Sequence, residues 1–226
     1  CIRDSSVTVP KNFTYESKPA RVRYRGWFVN DETLISHWKV ERRSDLAFAM
    51  VFETLLRLGG NLVIPGTGEN GHRYHMGLII THHHAEPLGA KMFVQAYPEL
   101  EPKFSLYPEK FRALWQDAID RQKTTPTVWN IGFRGQGDKP FWEDDPQYDT
   151  PEKHGALISR LIREQYALVK QNDPHAICCT NLYGETMELY QQGCLDLPED
   201  VIKIWADNGF GKMVSRRQGN ANPRVT

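Results

Sequence analysis

The fold is decided by the sequence of residues 127–138, which reads TVWNIGFRGQGD. A β-type run, Thr127–Phe133, ends here in a polar loop that carries Arg134 and Asp138. The same arrangement, an apolar run followed by ionisable or amide residues, recurs along the chain. It predicts six strands, which are Val22–Val29, Asn61–Pro65, Gly77–Thr81, Thr127–Phe133, Ile177–Leu182 and Val201–Ala206.

Helical patterns lie between most of these strands. Apolar residues recur with a helical period in 48–56, 111–119 and 158–166. Thr150 and Pro151 suit the N-cap and the first turn of the third helix. Alternating strands and helices predict parallel strands with helical crossovers, hence an α/β fold. Residues 66–76 are too few for such a crossover, so we expect a vestigial helix or none there.

An incomplete (β/α)8 barrel explains the pattern better than an open nucleotide-binding sheet. The latter requires a glycine-rich turn after the first strand, where this chain has Val29 to Glu32 without glycine. A (β/α)8 barrel has about 250 residues, and we expect about six of its eight strands here. Residues 1–20 are then a lead-in from a preceding domain, and 21–226 a partial barrel truncated at its C-terminus. Because an unclosed barrel exposes strand edges, we expect this chain alone to be poorly soluble and inactive.

Composition excludes several classes of protein. The 28 basic and 28 acidic residues give zero net charge, so no basic excess is available for nucleic acid. An apolar fraction of 40% argues against intrinsic disorder. No run of 18 apolar residues occurs, so we expect no membrane-spanning helix. The adjacent Cys178 and Cys179 are expected to be buried free thiols, because cysteine is among the most often buried residue types. No C-x-x-C pair occurs, which argues against a zinc or redox motif.

Polar residues follow most of the predicted strands. In a parallel barrel such residues converge on one face, where catalytic groups lie in this fold. Helix capping is the alternative for Glu32 and Glu185, and an ordinary turn is the alternative for Asp207 and Asn208. The residues concerned are Asn30, Asp31, Glu32, His82, His83, His84, Glu86, Arg134, Asp138, Asn181, Tyr183, Glu185, Asp207 and Asn208.

The run His82–His84 has two interpretations. Neighbouring residues at a strand end point to opposite sides, so at most two of the three face one site and one packs structurally. His83 with Asp207 could supply metal ligands, as in a metal-dependent amidohydrolase barrel. No His-x-His pair follows the first strand, however, and we expect neither a metal nor a cofactor.

The whole set of residues is typical of a carbohydrate site. It offers several carboxylates for acid–base work and an arginine, Arg134, suited to bidentate contact with a substrate carboxylate. Six tryptophans and nine tyrosines provide aromatic surface for sugar faces.

Five motifs follow the predicted elements: RGWFVNDE at 25–32, FETLLRLGGN at 52–61, THHHAEP at 81–87, GFRGQGD at 132–138 and WADNGFG at 205–211. They resemble glycoside hydrolase family 115, the xylan α-1,2-glucuronidases. They follow successive strands in the family's order and cover about residues 20–220. Residues 64–67, IPGT, and 141–145, FWEDD, look like the fungal branch of the family.

The resemblance implies a catalytic (β/α)8 barrel within a longer, multidomain protein. It also implies cofactor-free, inverting removal of (4-O-methyl)glucuronic acid from glucuronoxylan or its oligosaccharides. The implied catalytic residues are Asp138, Glu185 and Glu32. The implied substrate-binding residues are His83, His84, Arg134, Tyr183, Asp207 and Asn208.

Within this set we expect Asp138 to be the general acid, since apolar cover from Phe141 and Trp142 would suit that role. Glu185 is the base candidate, with Glu32 as the alternative. We expect a secreted protein, and a homodimer of the full-length form stays open. A carbohydrate-binding remnant without catalysis is the non-enzymatic alternative.

Overall fold

The structure is a computed structural model of the 226-residue chain. It describes residues 43–65 and 76–206 without a break. Before these it describes residues 18–29 and the positions 8, 10–14, 16, 35 and 38. The statements on structure below concern these residues.

Helices and strands alternate through the described part of the chain. The strands are β1 (Gly26–Phe28), β2 (Leu62–Ile64), β3 (Ile79–Ile80), β4 (Val128–Asn130), β5 (Ile177–Leu182) and β6 (Ile202–Trp205). The helices are α1 (Ser44–Arg57), α2 (Phe93–Ala96), α3 (Pro108–Gln122), α4 (Pro151–Asn172) and α5 (Glu185–Gln191). Single 3₁₀ turns occur at Pro87–Gly89 and Phe141–Glu143.

The strands form two parallel sheets, with orders β1-β2-β3 and β4-β5-β6. One parallel bridge, Ile80 to Thr127, connects the sheets at β3 and β4. Strand order therefore follows chain order, and the carboxyl ends of the strands lie on one side. Side chains that follow consecutive strands are thereby brought together.

The predicted mixed α/β fold with parallel strands is confirmed. All six strands occur where the pattern predicts them, mostly shorter, and the bounds of the fifth match. Thr150 caps α4, its Oγ1 accepting a bond from Lys153 N at 3.3 Å. Closure into an eight-stranded barrel stays a prediction. The segment 66–75, where a crossover was expected to be vestigial, lies outside the described residues, as does the carboxyl-terminal segment 207–226.

Two apolar cores hold the sheets. The larger lies between α3, α4 and the second sheet and includes Trp115, Ile131, Phe133, Leu161 and Leu182. The smaller packs α1 on the first sheet through residues that include Phe48, Phe52, Leu55, Val63 and Ile80. Each fully buried side chain of this size contributes about 1.5–3 kcal/mol.

The paired cysteines are structural, as predicted. Cys178 and Cys179 are buried on β5, and burial raises the pKa of each thiol to about 12. Both are therefore protonated and unreactive at neutral pH. Among the described residues, no helix combines the length and the apolar character that a membrane span requires.

Candidate active site

An ionic cluster of three side chains lies at the carboxyl ends of β4 and β5. Arg134 binds Glu185 side-on, with Nε donating to Oε1 at 2.9 Å and Nη2 donating to Oε2 at 3.2 Å. Its Nη1 donates to Asp138 Oδ1. Arg134 and Glu185 have side chains only 9% and 12% exposed, whereas Asp138 is 46% exposed. One buried guanidinium thus holds a buried carboxylate and a half-exposed one.

A tight loop, residues 134–144, presents Asp138. Gly135 N donates to Lys139 O at 2.8 Å, and a Cβ at Gly135 would lie 2.8 Å from that same oxygen. Asp144 closes the loop by accepting bonds from Gln136 N and Lys139 Nζ, both at 2.8 Å. Asp138 itself has φ of 62°, a left-handed conformation that aspartate tolerates better than most residues. Such backbone outliers concentrate at functional sites.

The strand end before this loop is fixed by a buried glutamine. Gln165 of α4 accepts a bond from Gly132 N at 2.9 Å and donates to Gly132 O at 2.8 Å. A side-chain amide thus replaces a neighbouring strand for Gly132, two residues before Arg134. Gln165 is fully buried, so this clamp is shielded from competing water.

Glu185 is placed by the turn that begins α5. Gly184 has φ 54° and ψ −125°, a conformation that favours glycine. Thr186 Oγ1 accepts a bond from Tyr183 N at 3.1 Å and fixes the turn. Glu185 is then the first residue of α5, and its carboxylate is turned to Arg134. Glu185 thus lies in the first turn of α5, as the helix-dipole alternative expects, and it also forms an ion pair across two strand ends.

Two of the three histidines lie together and one packs structurally, as predicted, but the two are the neighbours His83 and His84, which strand alternation would place on opposite sides. His82 is buried and its Nε2 donates to Gln122 Oε1 at 2.7 Å, away from the ionic cluster. The rings of His83 and His84 have centroids 3.9 Å apart, and His84 stacks on Tyr183 at 4.2 Å. His84 Nε2 lies 2.8 Å from Asp138 Oδ1. His84 and Tyr183 therefore join Arg134, Asp138 and Glu185 in one cluster.

His84 is held in its neutral form. Burial, followed by the neighbouring His83, lowers its pKa from 6.5 to about 4, although Asp138 opposes the shift. Arg134 also disfavours a second positive charge here. The contact of His84 with Asp138 is therefore that of a neutral imidazole with a carboxyl group at neutral pH.

His83, His84 and Asp138 are also the one group among the described residues that could hold a metal ion, with ligand atoms within 4.8 Å of one another. The contacts fit a metal poorly. Nδ1 of His83 accepts a bond from Ala85 N at 3.0 Å, so the proton of the neutral ring is on Nε2, which then has no lone pair to offer. Asp138 is already bound to Arg134. The donor set therefore favours hydrogen bonding to oxygen atoms over metal ligation.

One expectation for Asp138 is wrong. Phe141 is buried against Phe133, with centroids 5.3 Å apart, and Trp142 stacks on His154 at 3.6 Å. Neither ring provides the apolar cover that was expected, and nearly half of Asp138 is exposed. The 3₁₀ turn at Phe141–Glu143 turns both rings into the core.

Of the nine site residues named from the sequence, six are described and lie together. Phe28, at the end of β1, extends the group, with its ring centroid 5.0 Å from that of His83. Glu32, Asp207 and Asn208 lie outside the described residues. Asn130 and Gln165, whose amides hold the main chain of the site, are not among the residues predicted from the sequence. The signal for Asn130 is a polar residue inside an apolar run, and that for Gln165 is a polar residue at an apolar position of the helical period. The six are His83, His84, Arg134, Asp138, Tyr183 and Glu185.

Comparisons with known proteins bear on the family and the fold of the chain. The model of glycosyl hydrolase family 115 matches residues 17–225. A solved structure described as a family GH115 4-O-methyl-α-glucuronidase with specificity for decorated arabinogalactans matches with a TM-score of 0.68 and 21% identity. The match covers 82% of this chain and 27% of that one, so this chain spans about a quarter of its length. No curated protein matches the chain in sequence.

The likeness to the solved structure, at this identity, shows a shared fold. The family match extends over nearly the whole chain and includes every residue of the ionic cluster. The chain belongs to glycosyl hydrolase family 115.

Proposed function

We propose that the protein is an inverting α-glucuronidase that removes (4-O-methyl)glucuronic acid side chains from xylan. The observation that carries the proposal is the ionic cluster, in which Arg134 joins Asp138 and Glu185 at the ends of adjacent parallel strands. Paired carboxyl groups are what inverting glycosidases require. An arginine fork beside them suits a substrate that itself carries a carboxylate.

Arg134 is the proposed ligand for the carboxylate of the uronic acid. A guanidinium has five N–H donors, and the bonds to Glu185 and Asp138 use one each on Nε, Nη1 and Nη2. Nη1 and Nη2 therefore each retain a second N–H. A substrate carboxylate that binds these N–H groups would compete for Arg134 with Asp138, the exposed partner, more readily than with the buried Glu185.

The difference in exposure supports the division of roles between the two carboxyl groups. The leaving oxygen belongs to the polysaccharide, which has to remain at the mouth of the site, and the half-exposed Asp138 is the group that can reach it. Glu185 is buried deeper and suits activation of a water on the opposite face of the sugar. Glu32 remains the alternative base in the proposal.

His83, His84 and Tyr183 are the proposed ligands for sugar hydroxyl groups. The neutral His84 has one donor and one acceptor nitrogen, which suits hydroxyls. Nε2 of His83 carries the proton of the ring and is therefore a donor nitrogen. Asp207 and Asn208, which follow β6, are proposed to complete the substrate contacts.

The rest of the proposal concerns context. Parallel strands in chain order, with helices between them, are compatible with a (β/α)8 barrel, of which the described residues contain six strands. The proposed partners are glucuronoxylan and its oligosaccharides, with neither nucleic acid, membrane nor cofactor. Secretion suits a polysaccharide substrate of this size.

The test is hydrolysis by the full-length protein. Glucuronoxylan is the first substrate, decorated arabinogalactan is the second, and proton NMR follows the anomer released. Release of (4-O-methyl)glucuronic acid with initial inversion supports the proposal. Release from arabinogalactan alone would replace xylan as the substrate, and binding of xylan without release would identify a non-catalytic carbohydrate-binding protein. Activity that depends on a metal would favour the amidohydrolase alternative.

A further inference from the structure

Two asparagine side chains hold the segment that carries the histidines. Beyond the single bridge at Ile80 and Thr127, the chain after β3 continues as Thr81–His84 without strand pairing to β4. Asn130 Nδ2 donates to His83 O at 3.0 Å, and Asn181 Nδ2 donates to His82 O at 3.3 Å. Amide side chains from β4 and β5 thus take the place of a strand ladder.

Asn130 has a second feature, on its acceptor side. The residue is 1% exposed, and its Oδ1 has no hydrogen-bond partner among the described residues. Asn130 lines a small cavity of about 20 Å³, together with residues of the candidate active site. That volume suits one water molecule. The active-site residues lining it are His84, Arg134 and Tyr183.

We propose that Asn130 is a positioning residue of the active site, which fixes the His83–His84 pair through the His83 carbonyl and binds one water through Oδ1. The inference rests on the proposed glucuronidase function for its consequences in catalysis. Neither half requires Asn130 to contact the substrate.

The position of Asn130 in the fold explains why such a link matters. β4 carries Asn130 and, four residues on, Arg134, while the histidine segment follows β3. The amide therefore couples His83 and His84 to the strand that presents the arginine. Oδ1 is a buried acceptor, and buried acceptors in folded proteins are nearly always paired. A water in the cavity satisfies Oδ1 and lies next to His84, Arg134 and Tyr183, which also line the cavity.

Two substitutions separate the functions of the amide. Asn130→Leu removes donor and acceptor at similar volume. Asn130→Asp keeps the shape and the acceptor, but at neutral pH it places a carboxylate oxygen against the His83 carbonyl. Gln122→Met is the matched control, since it removes a side-chain amide that holds His82, whose ring points away from the site.

In the full-length protein, kcat/KM on glucuronoxylan should fall about ten- to a hundredfold for both Asn130 variants at neutral pH, because displacement of site groups by about 1 Å costs up to about 10²-fold. Gln122→Met should stay within about twofold of the natural protein, although its melting temperature also falls. Equal losses in all three variants would overturn the proposal and reduce Asn130 to a contributor to stability.

The pH dependence gives a readout that a merely structural role does not produce. The introduced carboxyl group in Asn130→Asp is buried, which favours its protonated form, and once protonated it can donate its O–H to the His83 carbonyl. The charged and titratable groups near this position, His83, His84, Arg134, Asp138 and Glu185, are the same in the natural protein and in the variant. Relative to the natural protein, Asn130→Asp should therefore regain activity as the pH falls. Asn130→Leu should not. A constant ratio at every pH for Asn130→Asp overturns the proposal.

A crystal structure of the full-length protein tests the water directly. One ordered water should lie within hydrogen-bond distance of Asn130 Oδ1, and the histidine rings should be displaced in Asn130→Leu. An unhydrated Oδ1, or unmoved rings, overturns the proposal. These structural outcomes do not depend on activity. An inactive natural protein therefore refutes the glucuronidase function without bearing on the positioning by Asn130.

Discussion

Arg134 and Glu185 form a side-on ion pair that joins the end of β4 to the first residue of α5. Both oxygens of Glu185 are used, at 2.9 Å and 3.2 Å from Nε and Nη2, and both side chains are nearly buried. Removing one partner of such a pair leaves an uncompensated buried charge, at a cost of about 3–5 kcal/mol. The pair is therefore a structural element of the site, besides any part in binding the substrate.

The first prediction concerns the arginine fork. In Arg134→Lys the ammonium group cannot bind both oxygens of Glu185 and Asp138 together, so kcat/KM on glucuronoxylan should fall at least about a hundredfold. Binding of a uronic acid should weaken more than binding of the neutral glucoside analogue, which calorimetry measures.

Arg112 offers a matched control for this substitution. It forms a similar fork with Glu164 between α3 and α4, with Nη2 at 3.3 Å from Oε2, outside the candidate site. Arg112→Lys should change the melting temperature without changing turnover. Equal weakening of acid and neutral ligand in Arg134→Lys would show that Arg134 only supports Glu185.

The second prediction concerns Gly184. Its φ of 54° and ψ of −125° disfavour any L side chain, and an added Cβ would lie 3.7 Å from Arg134 Nη2. Gly184→Ala should cost about 1–3 kcal/mol in the free energy of unfolding, because the strain is absent from the unfolded chain. Turnover should fall too, since Tyr183 and Glu185 flank the strained position.

Gly193→Ala distinguishes strain from damage to the site. Gly193 also has positive φ, 79°, but it follows α5 and no atom lies within 4 Å of the added Cβ. We expect a loss of stability of about 1–2 kcal/mol without loss of kcat. Normal kcat in Gly184→Ala, measured below its melting temperature, would contradict a role for this turn in placing Glu185.

Local patterns in the sequence predict the elements of this fold well. The apolar period identifies α1, α3 and α4. Thr150 and Pro151 predict the start of α4 to the exact residue. The six strands are predicted because each is a short apolar run, and most of them end in polar residues. The convergence of Arg134, Asp138 and Glu185 follows from parallel strands alone, since consecutive strand ends are neighbours.

Long-range side-chain directions are not encoded in such patterns. Phe141 and Trp142 follow Asp138 closely in sequence, yet the 3₁₀ turn directs both into the core. The amide of Gln165 reaches Gly132 across 33 positions, and that of Asn130 reaches His83 across 47. These contacts depend on how α4 and β3 pack around β4, which no local period reports.

The third prediction uses the lowered pKa of His84. Its pKa is about 4 in the folded protein and 6.5 in the unfolded chain, so the unfolded state binds more protons between these values. Above pH 6.5 the free energy of unfolding does not depend on His84. As the pH drops from 6.5 to about 4, the free energy of unfolding falls because the unfolded state takes up the proton first. His84→Gln should flatten the fall, as measured by denaturant titration across this range.

His175→Gln is the control for this measurement, because His175 is exposed beyond α4. The slope of the unfolding free energy against pH should stay that of the natural protein. A His84→Gln protein with an unchanged slope would show that His84 titrates alike in both states.

The last prediction concerns the catalytic pair. If Asp138 is the general acid, Asp138→Asn in the full-length protein removes the proton that the leaving xylan oxygen needs, so turnover of xylan should fall by orders of magnitude. Aryl glucuronides with good leaving groups need little protonation and should lose much less. Glu185→Gln, by contrast, should slow both kinds of substrate, because activation of water is needed for each.

The two variants also remove partners of the same arginine, and this allows chemistry to be separated from structure. Glu185 is buried in a bidentate pair, whereas Asp138 is half exposed and makes a single bond to Arg134. Glu185→Gln should therefore lower the melting temperature more than Asp138→Asn, although Asp138→Asn loses more of its xylan activity than of its aryl-substrate activity. Equal slowing of both substrates by Asp138→Asn would exclude the acid role. If Glu185→Gln spared the aryl substrates instead, the roles would be reversed, with Asp138 as the group that activates water.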